Sequence, residues 1–449
     1  MPASPQARIV PAVPTTSPLY RAATSMAVPL VPVVLRDARA REAHRGRIGA
    51  PAALAAWAAG HRDMTRPLAW FHASSVGEGL QARAVLERFR RARPDAQIVY
   101  THYSPSATAF AATVAADWSG YVPYDRPADV ATALDAVRPD LLVFAKLDLW
   151  PELATAAAAR GAAVTLIAGT VSPNSGRLRF PLRALAAPGY AALACAGAIA
   201  DKDAERLVRL GCDPARITVT GDPRIDSVLD AVAAIAPDGA LHTFSNPEHT
   251  LVAGSTWPAD EAVVLAALAL VRVTHPDARL ILVPHDPTEE HLRGVELRAE
   301  QHGVACVRMS AHSASDTAPL LLVDRVGLLA RLYGSGSMAL VGGGWGDKGI
   351  HSVLEPAAWA LPVTIGPRDR GSRDAQLLDA AGALVRLPEA DAPHLLAGHW
   401  SRWLAEPAER EQKGRAARHA LEGERGAAER SVSLLLAALE VSARSRRPG

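Results

Sequence analysis

Leu68-Ala69-Trp70-Phe71-His72-Ala73-Ser74-Ser75-Val76-Gly77-Glu78 is the stretch whose reading decides the fold. Four apolar residues bounded by a turn fit a strand buried on both faces, and the run after Gly77 carries apolar residues at helical spacing. A strand that enters a helix through a short turn is the unit of a parallel sheet. The same alternation recurs at 97–101, 141–144, 163–167 and 197–200, pauses around 236–249, and restarts with short apolar runs at 250–253, 280–283, 320–323, 339–341 and 362–365. Two βα-repeating halves result, and the Arg/Ala/Glu-rich tail from 405 to 446 reads as helix packing back across both.

Length agrees, since 449 residues is about three times the typical domain size of roughly 150. A chain 49% hydrophobic and 21% charged, with Gly and Pro scattered, is globular rather than collagen-like or disordered. Lys+Arg 48 against Asp+Glu 46 leaves a formal charge of +2, too balanced for a protein that coats nucleic acid, so an anionic partner must meet a local site. Cys195, Cys212 and Cys306 are an odd, widely spaced set without a CxxC pair, which provides neither a disulfide framework nor a zinc knuckle. A reducing cytoplasm is the expected setting, and no metal or other cofactor is called for.

Residues 1–66 read as an arm. Its apolar run, 22–35, contains Pro29 and Pro32 and falls short of the roughly 20 residues that span a bilayer. Arg36, Arg39, Arg41, Arg45 and Arg47 follow. Such a pairing suits either a membrane interface or an ordinary surface arm. The charges follow the apolar run instead of preceding it, which disfavours a secretory signal.

Five segments stand where open α/β sheets place their ligands, just beyond strand ends. In the first, Glu78 is either a base presented at a helix start or a carboxylate capping that helix. The second, Lys146-Leu147-Asp148-Leu149-Trp150-Pro151, is a charged cluster beside an indole, readable as an ion pair under a packed ring. The third, Gly254-Ser255-Thr256, offers hydroxyls and amides to phosphate or serves as a plain cap. The fourth, Pro284-His285-Asp286-Pro287, is a held His or a loop turn. The fifth runs from Gly342 to Glu355 through Gly343, Gly344, Lys348, Gly349 and His351. Its glycines can expose amides to anionic oxygens, Lys348 can add a cation, and Glu355 can accept from a ribose diol. The spacing matches neither the P-loop nor the dinucleotide fingerprint.

With these segments in order, the chain resembles the 3-deoxy-D-manno-octulosonic acid (Kdo) transferases of lipopolysaccharide synthesis over roughly residues 20–387. The resemblance rests on Ser75-Val76-Gly77-Glu78, Pro123-Tyr124-Asp125, Leu149-Trp150-Pro151, Gly254-Ser255-Thr256, and Gly342 through Glu355 followed by Gly366-Pro367. It implies an α/β chain of the GT-B fold, two Rossmann-like parallel-sheet domains facing a central cleft. The first, 67–235, would bind the acceptor and the second, 250–404, the nucleotide sugar, with 405–449 as the tail. It also implies an inverting glycosyltransferase using CMP-Kdo as donor and lipid A precursor as acceptor, cytoplasmic and peripheral to the inner membrane. The family's base maps onto Glu78, and its CMP-binding residues onto Ser255, Thr256, His285, Lys348, Gly349, His351 and Glu355. Ser75, Lys146 and Asp148 fall on the acceptor side. The chain departs from the family where many members have two acidic residues before Leu-Trp-Pro, Pro-Arg-His in place of Pro284-His285-Asp286, and His-Asn in place of His351-Ser352. The usual Arg before the segment 172–175 is absent. Two other readings are a sugar-nucleotide epimerase on the same fold and a non-catalytic lipid A binding protein.

Overall fold

The computed structural model describes residues 14–34, 37–235, 244, 246–313 and 316–446. The chain divides into two compact units, Met1–Ser227 with Gly426–Gly449, and Val228–Arg425.

The first unit is built on β1 (Leu68–His72), β2 (Gln97–His102), β3 (Trp118–Tyr121), β4 (Leu141–Ala145), β5 (Ala163–Gly169), β6 (Cys195–Ala198) and β7 (Ile217–Val219). They form one parallel sheet in the order β3-β2-β1-β4-β5-β6-β7. Because successive side chains point to opposite faces, Leu68 and Trp70 join a core under the helices Ala38–His61, Pro127–Val137 and Pro151–Ala159, while Ala69 and Phe71 join another under Val76–Ala92 and Ala427–Arg446. Two covered faces explain why β1, β2, β4 and β5 are unbroken runs of buried residues.

The second unit repeats the plan with β8 (Thr250–Thr256), β9 (Arg279–Pro284), β10 (Cys306–Arg308), β11 (Leu320–Leu322), β12 (Met338–Val341), β13 (Val363–Ile365) and β14 (Leu384–Arg386). Its parallel order is β10-β11-β9-β8-β12-β13-β14. In each sheet the direction of winding reverses once, between β1 and β4 and between β8 and β12. The helices that follow those strands leave to opposite faces there, so the strand ends are left open to a ligand.

The inner strands lie where the apolar runs predicted them. The run expected at 197–200 is an exception, because the strand is Cys195–Ala198, two residues earlier. Four strands escaped the sequence reading: β3, β7, β10 and β14, which are the sheet edges. An edge strand is short and half solvated, so it carries no continuous apolar run. Most of the break expected at 236–249 lies outside the described residues.

The arm corrects an expectation. Among its described residues are two helices, Pro18–Val34 and Ala38–His61, and the second is part of the core of the first unit through Leu54 and Trp57. Arg39, Arg41 and Arg45 are exposed, but Arg47 is only 4% exposed and cannot face a membrane. Leu35 and Arg36 lie outside the described residues. The first arm helix is tied down as well, since Tyr20 donates to Asp125 at 2.6 Å and Arg21 pairs with Glu152 at 2.8 Å. No helix among the described residues is long and apolar enough to cross a membrane.

The tail is not one helix. Pro407–Gly423 packs among helices of the second unit, and after Gly426, at φ 91°, the helix Ala427–Arg446 packs on Val76–Ala92 and β5 of the first. Asp226 starts that last helix by accepting the amides of Gly426 and Ala428 at 2.7 and 2.8 Å. Leu435 on this helix is fully buried. Leu435→Ala is expected to cost about 2–5 kcal/mol, as other core Leu deletions do. A lowered urea midpoint in the full chain checks this, and an unchanged midpoint contradicts it.

Candidate functional site

At the first reversal, β1 ends in His72 and the chain turns into the helix Val76–Ala92. Ser75 is its N-cap. The Glu78 amide donates to the Ser75 hydroxyl at 3.4 Å and the Ser75 amide donates to the Glu78 carboxylate at 3.1 Å, a reciprocal capping box. The capping geometry is therefore satisfied. It takes one of the roughly four lone-pair directions of a carboxylate, and Glu78 is partly exposed, so a second role stays open to it.

From the neighbouring strand β4 come Lys146 and Asp148. Lys146 turns the chain with φ 62°, its amide donating to Ile167 at 2.9 Å. Asp148 lies 3.1 Å from Nε2 of the fully buried His72 and 3.7 Å from Arg177. The Trp150 indole nitrogen lies 3.0 Å from the same Nε2, which can accept that N–H or donate to Asp148 but not both. Burial pushes the Asp148 pKa up, but the hydrogen bond and charge at His72, with Arg177 and Arg47, outweigh it and hold the carboxyl below its ordinary value. Arg47 completes the cluster. Its guanidinium lies 4.1, 4.6 and 4.9 Å from the ring centres of Tyr124, Trp150 and Tyr103 and donates to Pro123 at 3.0 Å. Burial draws its pKa down.

At the second reversal, β8, β9 and β12 bring Ser255, Trp257, His285, Lys348, His351 and Glu355 to one end of the sheet. His285, Asp347 and Lys348 are exposed, and Ser255, Trp257, His351 and Glu355 are partly buried. The Lys348 ammonium stands 5.6 Å from the centre of the Trp257 indole. His285 packs on Trp257 at 4.8 Å and on His351 at 4.3 Å. Glu355 opens the helix Leu354–Ala358, and its charge together with burial raises the pKa of the Tyr333 phenol, burial being the larger cause.

Two expectations change here. Thr256 is fully buried and its hydroxyl donates to Glu261 at 3.1 Å, so it serves the loop. The amides at the start of the loop are used within the protein: Gly342 donates to Gly254 at 2.9 Å, and the amides of Gly343 and Trp345 go to the buried carboxylate of Asp260 at 2.8 and 3.2 Å. The glycines are there for want of space. A Cβ on Gly342 would lie 2.4 Å from the Ser255 carbonyl, and one on Gly343, already at φ 93°, would lie 2.1 Å from that of Gly349. The exposed ammonium of Lys348 stands in the later part of the loop.

Asp260 and Glu261 were missed by sequence reasoning. Asp260 also accepts the Trp257 amide at 2.8 Å, while Glu261 takes His291 at 2.7 Å and Arg298 at 2.9 Å. A signal existed, since Pro258 at a helix start with an acid two residues on is an N-terminal capping pattern.

The profile of a family described as "3-Deoxy-D-manno-octulosonic-acid transferase (kdotransferase)" matches residues 43–227. A 3-deoxy-D-manno-octulosonic acid transferase of Bordetella pertussis is 27% identical over 82% of this chain and 86% of its own length. One of Haemophilus influenzae is 24% identical over 83% and 87%. Among solved structures, a putative UDP-N-acetylglucosamine 2-epimerase from Listeria monocytogenes superposes with a TM-score of 0.58 at 12% identity, over 85% of this chain and 98% of that one. At that identity the likeness is one of fold.

The lowered Asp148 pKa has a defined pH signature. A depressed carboxyl stabilises the fold above its unfolded value of about 3.9 and loses that contribution as pH falls through the lower folded value. Asp148→Asn is expected to be less stable than the parent at pH 7, the gap closing below about pH 3.9. Urea midpoints across pH 7 to 3 measure it, and a constant gap contradicts the assignment.

Proposed function

We infer that this chain, a member of the 3-deoxy-D-manno-octulosonic-acid transferase family, is an inverting glycosyltransferase that moves Kdo from CMP-Kdo to a lipid A precursor in lipopolysaccharide synthesis. The observation that carries this is the match to named transferases, along 82% of the chain for that of Bordetella pertussis, together with the family profile over residues 43–227. In this reading the first unit takes the acceptor and the second the donor.

The chemistry follows from the residues. CMP is already a good leaving group, so the donor needs charge neutralisation at its phosphate, which Lys348 supplies. Ser255, His285, Gly349, His351 and Glu355 would hold the nucleotide around it. Glu78 takes the proton of the acceptor hydroxyl as that oxygen bonds to the anomeric carbon from the face opposite CMP. The bond to the phosphate oxygen breaks, CMP departs with the electron pair, and configuration inverts. Ser75 positions Glu78 through the cap, while Lys146 and Asp148 stand beside it on the acceptor side. The epimerase reading rests on fold likeness alone and has no use for an acceptor.

Glu78→Gln separates base from cap, because the amide oxygen can still accept the Ser75 amide but cannot take up a proton. With CMP-Kdo and tetra-acylated lipid A precursor, mass spectrometry of the product is expected to show transfer by the parent and a rate about 10²- to 10⁴-fold lower in the variant, with CMP affinity kept. Parental turnover in the variant would reduce Glu78 to a cap. Absence of any sugar–lipid product from the parent would sink the transferase reading.

A lipid acceptor requires contact with the membrane face. Support comes from the first unit, where Leu19, Met26 and Leu30 on the arm helix are 72%, 68% and 61% exposed, and Phe180, 85% exposed, lies among the exposed residues Arg179, Leu182 and Arg183. Apolar side chains among cations suit an anionic bilayer surface. Changing Leu19, Met26 and Leu30 together to Ser should weaken binding to phosphatidylglycerol vesicles without unfolding the chain. Equal binding would move the contact elsewhere. Point changes are preferred to deleting residues 1–47, which would also remove Tyr20, Arg21 and Arg47 from the fold.

A further inference from the structure

Trp257 stands one residue past the end of β8, and no motif assigns it a role. Its indole N–H donates to Nε2 of His351 at 3.1 Å. The two rings are 18° from parallel with centres 6.5 Å apart, so they lie edge to edge in nearly one plane. His285 lies over the seam, 4.8 Å from one centre and 4.3 Å from the other, inclined 28° and 19°. An indole N–H can only donate, so Nε2 must be the acceptor, and in the neutral ring the proton then sits on Nδ1. Among the described residues Nδ1 makes no hydrogen bond.

We propose that Trp257 is a positioning residue that fixes His351 as the Nδ1–H tautomer, so that His351 meets a phosphate oxygen of the bound nucleotide as a hydrogen-bond donor. This rests on the nucleotide reading of the site given above. A protonated ring would set an N–H against the indole N–H, and burial together with the charge of His285 lowers the His351 pKa in the same direction. The groups facing this pair are His285 across the seam and the Lys348 ammonium at the indole, with Glu355 four residues past His351 in the first turn of the helix Leu354–Ala358. Lys348 then brings the charge and His351 a directed N–H, which resists protonation as pH falls toward the ordinary His range.

Trp257→Phe keeps an aromatic ring at this position and removes the indole N–H together with the five-membered ring that carries it. In the full chain labelled with ¹⁵N-histidine, the parent is expected to show His351 as a single Nδ1–H tautomer, and the variant a mixture in which Nε2–H is populated. CMP affinity by calorimetry should fall about 2- to 12-fold, the range for one neutral hydrogen bond. A ring that stays Nδ1–H in the variant overturns the proposal whatever the nucleotide result. A shifted tautomer with unchanged CMP affinity overturns the link to the phosphate. If the parent binds no CMP while the tautomer still shifts, the nucleotide reading fails and the hold of Trp257 on His351 is supported.

Discussion

A parallel sheet must be covered on both faces, and its crossover helices can do this only by winding one way from a starting strand and then the other. That constraint produces one reversal per sheet, and at the reversal the carboxyl ends of two adjacent strands have no helix over them. In this chain those places are the ends of β1 with β4 and of β8 with β12. Every residue with a proposed chemical role leaves a strand there or, like His285 after β9, one strand away. The rest of each unit is scaffold for these two openings.

Buried carboxylates do the local fastening. Asp125 accepts the amides of Glu152 and Leu153 at 2.9 and 2.8 Å, Asp226 those of Gly426 and Ala428, and Asp260 those of Trp257, Gly343 and Trp345. Each ties a helix start to a segment it would otherwise leave loose, and amide donors offset part of the cost of burying the charge. For Asp125 and Asp260 burial is still the larger effect and their pKa values are raised. The Gly-rich loop is thus held in shape by one acid on the helix opposite.

The arm shows how a charge pattern misleads when read alone. Five arginines after an apolar run suggested one cationic surface, yet Arg47 is enclosed by Tyr103, Tyr124 and Trp150 and acts electrostatically on Asp148. An Arg can be buried when its guanidinium finds aromatic faces and carbonyls together, and only tertiary contacts bring those there.

The sequence by itself determined the inner strands and the two-unit α/β plan, and its candidate site residues fall just past β1, β4, β8, β9 and β12. Strands buried on both faces must be continuous apolar runs, and a ligand loop must follow a strand, so both leave a local mark. Tertiary structure decided what has no local mark. The edge strands β3, β7, β10 and β14 exist because a neighbour supplies their hydrogen bonds. Where the first glycine amides point and which side chain meets His351 depend on partners up to 94 residues away, as Trp257 is from His351. Hydrogen bonds of that range are set by packing, and no spacing within the chain announces them.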